Sequence, residues 1–162
     1  MLILKSVLIV VVVIAVAAIA AGQAGFLKGK APLNLGVRDG RLLPPSPTPN
    51  SVSSQAALYL DAGQRTYASV APLPLKGTGP ATIARIKSIV QGMDGAEVVK
   101  SEPDYVYAQF TTRLMKYVDD VEFWFDPTAQ VVHVRSASRL GSRDFGVNRD
   151  RVEAIRQQLA AP

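Results

Sequence analysis

The chain has 162 residues, a net charge of +5, 48% hydrophobic residues, one histidine and no cysteine. That length holds one ordinary domain. The missing cysteines exclude disulfides, thiol catalysis and thiolate metal sites, and charges that alternate in sign rather than form a block make nucleic acid an unsuitable partner.

The N-terminus is set apart from the rest. Met1–Ser6 carries one charge, Lys5, and Val7–Ala21 is fifteen apolar residues without a polar interruption. At about 1.5 Å per residue those fifteen fall short of a hydrocarbon core of about 30 Å, but the first six residues, with Lys5 snorkelling, lengthen the helix enough to span it. The small residues Ala17, Ala18, Ala20, Ala21 and Gly22 also resemble a signal-peptidase site. Residues 1–22 are therefore expected to be a signal-anchor or signal peptide, with the retained anchor favoured. Lys5 on one side and Lys28 and Lys30 on the other nearly balance the positive-inside rule. The signal-like pattern favours export: a single pass through a bacterial inner membrane with the C-terminal domain on the periplasmic side, or secretion to the periplasm after cleavage.

Residues 23–64 are expected to be a linker and strap. Gln23–Gln55 holds five prolines and four glycines. Prolines 44, 45, 47 and 49 enforce extended or polyproline backbone. The segment is either a plain spacer or an ordered strap packed on the domain, with Asn50 and serines 51, 53 and 54 capping its turns.

The globular pattern begins near Arg65, and residues 65–162 are expected to form an α+β domain. Thr66–Ala71 is a strand candidate, ended by "PLPLKGTGP". Pro80 suits the first position of a helix capped by Thr78 or Gly79; Ile83, Ile86, Val90 and Met93 follow at helical spacing, and Gly92 and Gly95 stop it. Ala96–Lys100 and Tyr105–Thr112 are strands around the turn "SEPD". Val118–Asp126 and Val131–Ser138 form a hairpin around "PTAQ". Alternation predicts its register: Phe125 opposite Val132, Phe123 opposite Val134 and Val121 opposite Ser136, with Glu122 against Arg135 and Trp124 against His133 on the other face. Val152, Ile155 and Leu159 mark a last helix, N-capped by Asn148 with Val147 and Val152 as a hydrophobic staple. The order predicts a mostly antiparallel sheet of about five strands, two helices on one face, and a transmembrane or signal-anchor helix in front.

Three segments, "GRLLPPSPTPNSVSSQA", "YVDDVEFWF" and "VRSASRLGSRDFGVNRDRVEAIRQQL", resemble the domain of unknown function 1499 family in the order that family carries them. The resemblance covers about residues 36–160. It implies an exported or membrane-associated protein and no assigned activity. Family members carry cysteines around a Pro-Asn-Cys-Val-Ser element; here Ser51 takes that position and Pro45 its partner's, so the strap must be held by turns and packing.

Residues 135–153 contain five arginines. Arg135, Arg139, Arg143 and Arg149 lie near a glycine-flanked loop leading into a helix N-terminus, where they suit an anion. Arg135, Arg139 and Arg149, with Asp119, Asp120, Glu122, Asp144 and Asn148, form either an internal ion-pair network or that anion site. Bracing is the favoured reading. Asp119 and Asp120 face opposite sides of a strand and cannot chelate one ion together. Asp120 and Glu122 share a face about 7 Å apart, opposite arginines that keep them ionised. His133 points away from Ser136 and Ser138, which disfavours a Ser-His-Asp triad. No catalytic residue, metal or cofactor is assigned. Tyr105, Tyr107 and Trp124 are candidate contact aromatics on the face away from the core, or a second layer beneath the strap.

The function expected is a membrane-tethered envelope domain without enzymatic activity, an accessory or interaction subunit of a membrane assembly. An anionic small-ligand or lipid-headgroup binder is the alternative, and a hydrolase the third. The partners expected are the membrane through residues 1–22, other subunits of a membrane complex, and anionic lipid headgroups.

Overall fold

A computed structural model describes residues 2–59 and 65–161 of the chain. Helix α1 (Leu2–Gln23) projects from the domain and touches it only at its last turn. Its stretch Ile3–Gln23 has a mean hydropathy of 3.0, and the apolar window that could cross a membrane is not buried inside the protein. Twenty-two residues at about 1.5 Å each give about 33 Å, long and apolar enough to cross a bilayer.

The domain is an antiparallel sheet with helices on one face. β2 (Ala96–Ser101), β3 (Tyr105–Thr111), β4 (Val118–Asp126) and β5 (Val131–Ser138) form a meander, and β1 (Ser51–Ser53) adds the edge beside β5, giving the order β1-β5-β4-β3-β2. The β4–β5 register pairs Phe125 with Val132, Phe123 with Val134 and Val121 with Ser136, as alternation requires. Val106, Ala108, Phe110, Val121, Phe123, Val132 and Val134 line the core face. Onto them pack Ile83, Ile86 and Val90 of α3 (Gly79–Gln91) and Val152, Ile155 and Leu159 of α4 (Val147–Ala160). Each such side chain contributes about 1.5–3 kcal/mol by leaving water.

Local chemistry sets the ends of α3. The Thr78 hydroxyl accepts from the Ala81 N–H and Pro80 fills the first turn. Gly79 lies so close to the Phe125 ring that a Cβ would sit 2.2 Å from it. Gly95, at φ +72°, passes equally close to the Thr111 carbonyl.

The strand expected over Thr66–Ala71 is not present. Arg65–Ala68 closes one helical turn, α2, with the Ser69 N–H bonded to the Arg65 carbonyl. The fifth strand comes instead from the strap, where Val52 pairs with Ser136 and Ser53 with Arg135. Ser69 touches this edge through one bridge to Ser53. The proline segment is thus an ordered strap rather than a spacer. Leu35, Val37 and Leu42 lie over Tyr105, Tyr107 and Trp124 on the sheet face opposite the helices. At the position where the family resemblance leads one to expect a cysteine, the Ser51 hydroxyl accepts from the Ser46 N–H at 2.7 Å, a turn that closes the strap without a covalent bond.

The C-terminal helix starts differently from the sequence expectation. Gly146, at φ +90°, precedes it, and Asn148 lies inside its first turn, fully buried. Val147 is half exposed, so no staple to Val152 forms. Asp144 does the capping: its carboxylate accepts from the Gly146 N–H at 3.1 Å and the Asn148 N–H at 3.0 Å.

Candidate functional site

The charged residues of β4 and β5 fall into two layers, one on each face of the sheet. On the strap face Arg139 makes a fork to Asp120, Nε to Oδ2 at 2.8 Å and Nη2 to Oδ1 at 2.7 Å. The Tyr107 hydroxyl donates to the same carboxylate at 2.6 Å and accepts from Gln109 at 2.8 Å. Side-chain exposure is 7% for Arg139 and 1% for Asp120, so this is a buried bidentate pair.

Glu122 lies beside it, fully buried. Its Oε1 accepts from the Tyr105 hydroxyl and from the Gly36 N–H of the strap, both at 2.7 Å. Its Oε2 faces Arg135 Nη1 at 3.6 Å, an ion pair looser than a hydrogen bond. Arg135 also donates to the Pro44 carbonyl at 3.2 Å, so this arginine grips the proline strap directly. Burial pushes the Glu122 carboxyl up, against the bonds from Gly36 and Tyr105, and pulls the Arg135 guanidinium down, against the Glu122 charge.

On the core face Arg151 reaches from α4 to Asp119 at 2.6 Å, and to Ser136 Oγ and Asn148 Oδ1 at 2.9 and 2.6 Å. Asn148 donates to the Asn50 carbonyl at 3.1 Å and to Ser138 Oγ at 3.0 Å. Asn50 in turn donates to the Gly141 carbonyl at 2.6 Å. Strap, β5 and α4 therefore meet at one buried amide. Helical spacing puts Arg151 at the edge of the buried stripe, one turn from Asn148 and Ile155, but its partner Asp119 is 32 residues away and only the packing of α4 on the sheet brings them together.

The remaining candidates have different partners from those the arginine pattern suggests. Arg149 donates to the Ser69 and Tyr67 carbonyls rather than to a carboxylate. Asp144 accepts from the Tyr67 hydroxyl at 2.5 Å as well as from the two backbone N–H groups. Burial alone would raise its pKa, but these donated bonds outweigh burial and hold it below the usual carboxylate range. The N-terminus of α4 is thus already occupied by an internal anion. Tyr105, Tyr107 and Trp124 are buried beneath the strap and present no contact surface; the apolar residues of the strap cover them.

His133 stacks on Trp124, ring centroids 5.6 Å apart. Its Nδ1 meets Ser54 Oγ at 3.0 Å, and its Nε2 lies 3.6 Å from Asp126. This Ser54–His133–Asp126 line escapes a sequence reading because Ser54 belongs to the strap. The Ser54 oxygen also accepts the Val134 N–H at 2.9 Å, which makes the hydroxyl part of the sheet edge.

One arginine of the stretch remains unengaged. Arg143 is exposed and has no ion pair or hydrogen bond among the described residues. It sits on the loop 139–147 beside Phe145, which is 91% exposed and has φ +54°. A bulky residue in the left-handed region is an uncommon conformation that costs stability.

α1 ends on the neighbouring β3–β4 loop, and the chain just after it passes loop 139–147. The Gln23 side chain donates to the Leu114 carbonyl at 2.8 Å. Gly22 is buried against Met115, where a Cβ would stand 2.5 Å from the carbonyl oxygen, and Gly29 is equally close to Arg139 and Leu140. The β3–β4 loop, the end of β5 and the start of α4 all lie at one end of the sheet, and the apolar helix leaves from that end.

A family model described as "Protein of unknown function (DUF1499)" matches residues 41–159. No curated protein and no solved structure matches the chain.

Proposed function

The chain belongs to the DUF1499 family, and we propose that this member is a membrane-tethered envelope domain that works without catalysis, as an accessory or interaction subunit of a membrane assembly. One observation carries the reading. The three carboxylates Asp119, Asp120 and Glu122 are each buried against their own arginine, on two faces of one sheet. A general base or metal site needs a carboxylate open to a reacting group, and these hold the fold together instead. In this reading α1 anchors the chain in a bacterial inner membrane and the domain faces the periplasm; the length and hydropathy of α1 support the anchor.

Mild detergent extraction of the full chain with an affinity tag tests this. Stoichiometric co-purifying membrane proteins support the subunit role, and a protein that emerges alone and monodisperse from several gentle detergents contradicts it.

A second reading, an anionic-headgroup binder, is favoured by the exposed Arg143 and Phe145. A third, a hydrolase, draws on Ser54 beside His133. A fluorophosphonate probe that labels Ser54 would establish the third; the engagement of its oxygen by Val134 argues against reaction.

A further inference from the structure

We infer that the cleft between the exit of α1 and the loop 139–147 seats an anionic phospholipid of the leaflet in which α1 ends, with the lipid phosphate on Arg143 and the first methylenes among Leu27, Leu140, Phe145 and Val147. This rests on the membrane-tethered reading above and names what its membrane-facing end binds.

The cleft has a volume of about 470 Å³ and is lined by these residues together with Tyr117. That size lies within the range of small-ligand pockets, with room for part of a lipid while its tails stay in the bilayer. Its apolar wall is presented to the outside: Leu140 and Val147 are 40% and 47% exposed, Phe145 far more, and Phe26 and Leu114 stand exposed nearby. Among the described residues, none inside the domain covers them. What lies next to them is the end of α1. The contacts of Gly22, Gln23 and Gly29 with 113–115 and 139–140 fix the cleft beside the point where the apolar helix leaves the domain. Apolar and aromatic side chains at that level match the headgroup boundary.

The charges match too. Arg135, Arg139, Arg149 and Arg151 are all bound within the protein, whereas Arg143 is not. Lys28, Lys30 and Arg113 are exposed around the same end. Two carboxylates, Asp119 and Asp144, also line the cleft. Arg151 neutralises the first; the second stays an ionised carboxylate held inward by the Tyr67 hydroxyl and two backbone N–H groups, so the phosphate must sit on the outer side of Arg143, away from Asp144. Anionic headgroups draw basic side chains at this depth.

The test uses the full chain reconstituted in vesicles, with Phe145→Trp as reporter and lipids brominated along the acyl chain as quencher. Trp124 is the native tryptophan; it lies six residues up β4 from Val118, about 20 Å from the membrane end, and serves as the unquenched reference. Brominated phosphatidylglycerol is expected to quench the Trp at position 145 at least twofold, brominated phosphatidylcholine distinctly less, and Arg143→Glu to remove the difference. Equal quenching by the two lipids overturns the selectivity for an anionic headgroup, and no quenching by either overturns the site. Alkaline carbonate extraction of the same vesicles separates the two levels. Release of the chain sinks the tethered reading itself, whereas a retained chain with an unquenched Trp sinks only the lipid seat.

Discussion

Asp119 and Asp120 are neighbours in the chain and point to opposite faces of β4, and each is taken by a different arginine: Asp119 by Arg151 of α4, Asp120 by Arg139 beyond β5. The pleat separates them, so two carboxylates that resemble a chelating pair in the sequence instead join the sheet to a helix on one side and to the β5 exit on the other.

Arg139→Ala is expected to cost about 3–5 kcal/mol, because it leaves the Asp120 carboxylate buried without a counter-charge. The melting temperature then falls by on the order of 10 °C. Arg139→Ala combined with Asp120→Asn should cost less than the two single changes added together. Thermal unfolding of the full chain in detergent measures all of these. A near-normal melt for Arg139→Ala alone would show that the fork is not structural.

Asp144 gives the protein a defined acid limit. Its folded pKa is depressed, so the stability it supplies is fully present above the unfolded carboxylate range near pH 4 and is lost as pH falls through the lower folded value. Asp144→Asn should destabilise by about 1–2 kcal/mol at pH 7, and the difference from the wild type should shrink as pH falls toward the depressed folded value. Glu122 has the opposite sign. Its folded pKa is raised, so its contribution is greatest below the unfolded value and declines as pH rises toward the folded one. Melts of both variants across pH 3–8 separate the two.

His133 and Trp124 report on each other. Burial lowers the pKa of His133, against the pull of Asp126, so the stacked imidazole stays neutral to a more acid pH than a free histidine. Charging the ring quenches the indole, so Trp124 emission should drop on acidification with a midpoint below about 6.5. The same depressed pKa means that stability is lost as pH falls through the unfolded histidine value. His133→Gln should abolish the fluorescence titration, and a midpoint at or above 6.5 would contradict the buried stack.

The start of α3 offers a steric test beside a capping test. Thr78→Ala should cost about 1 kcal/mol, the ordinary loss of a cap. Gly79→Ala should cost more, because the new methyl meets the Phe125 ring, and Gly79→Ala with Phe125→Leu should recover part of the loss. Chemical denaturation of the four proteins gives the ranking.

Much of the fold is legible from the residues alone, for identifiable reasons. Val121, Phe123 and Phe125 alternate against Val132 and Val134, and a period of two leaves one register that buries them all. Thr78, Gly79 and Pro80 announce α3 by cap chemistry. The polar edge strand Ser51–Ser53 carries no such alternation; its place follows from tertiary pairing with β5. Arg65–Ala68 reads as the beginning of a strand yet closes a helical turn. In the candidate site, Glu122 opposite Arg135 follows from register, and the Asp144 cap is local, reaching N–H groups two and four residues on, whereas the Arg151 and Ser54 contacts depend on how the strap and α4 close over the sheet. Local pattern does not carry that information.

The strap folds back along the sheet instead of reaching outward, and the last turn of α1 rests on the β3–β4 loop. With α1 in a bilayer, the domain would stand directly above it with little slack, and a partner anchored in the same membrane would reach it by lateral diffusion alone.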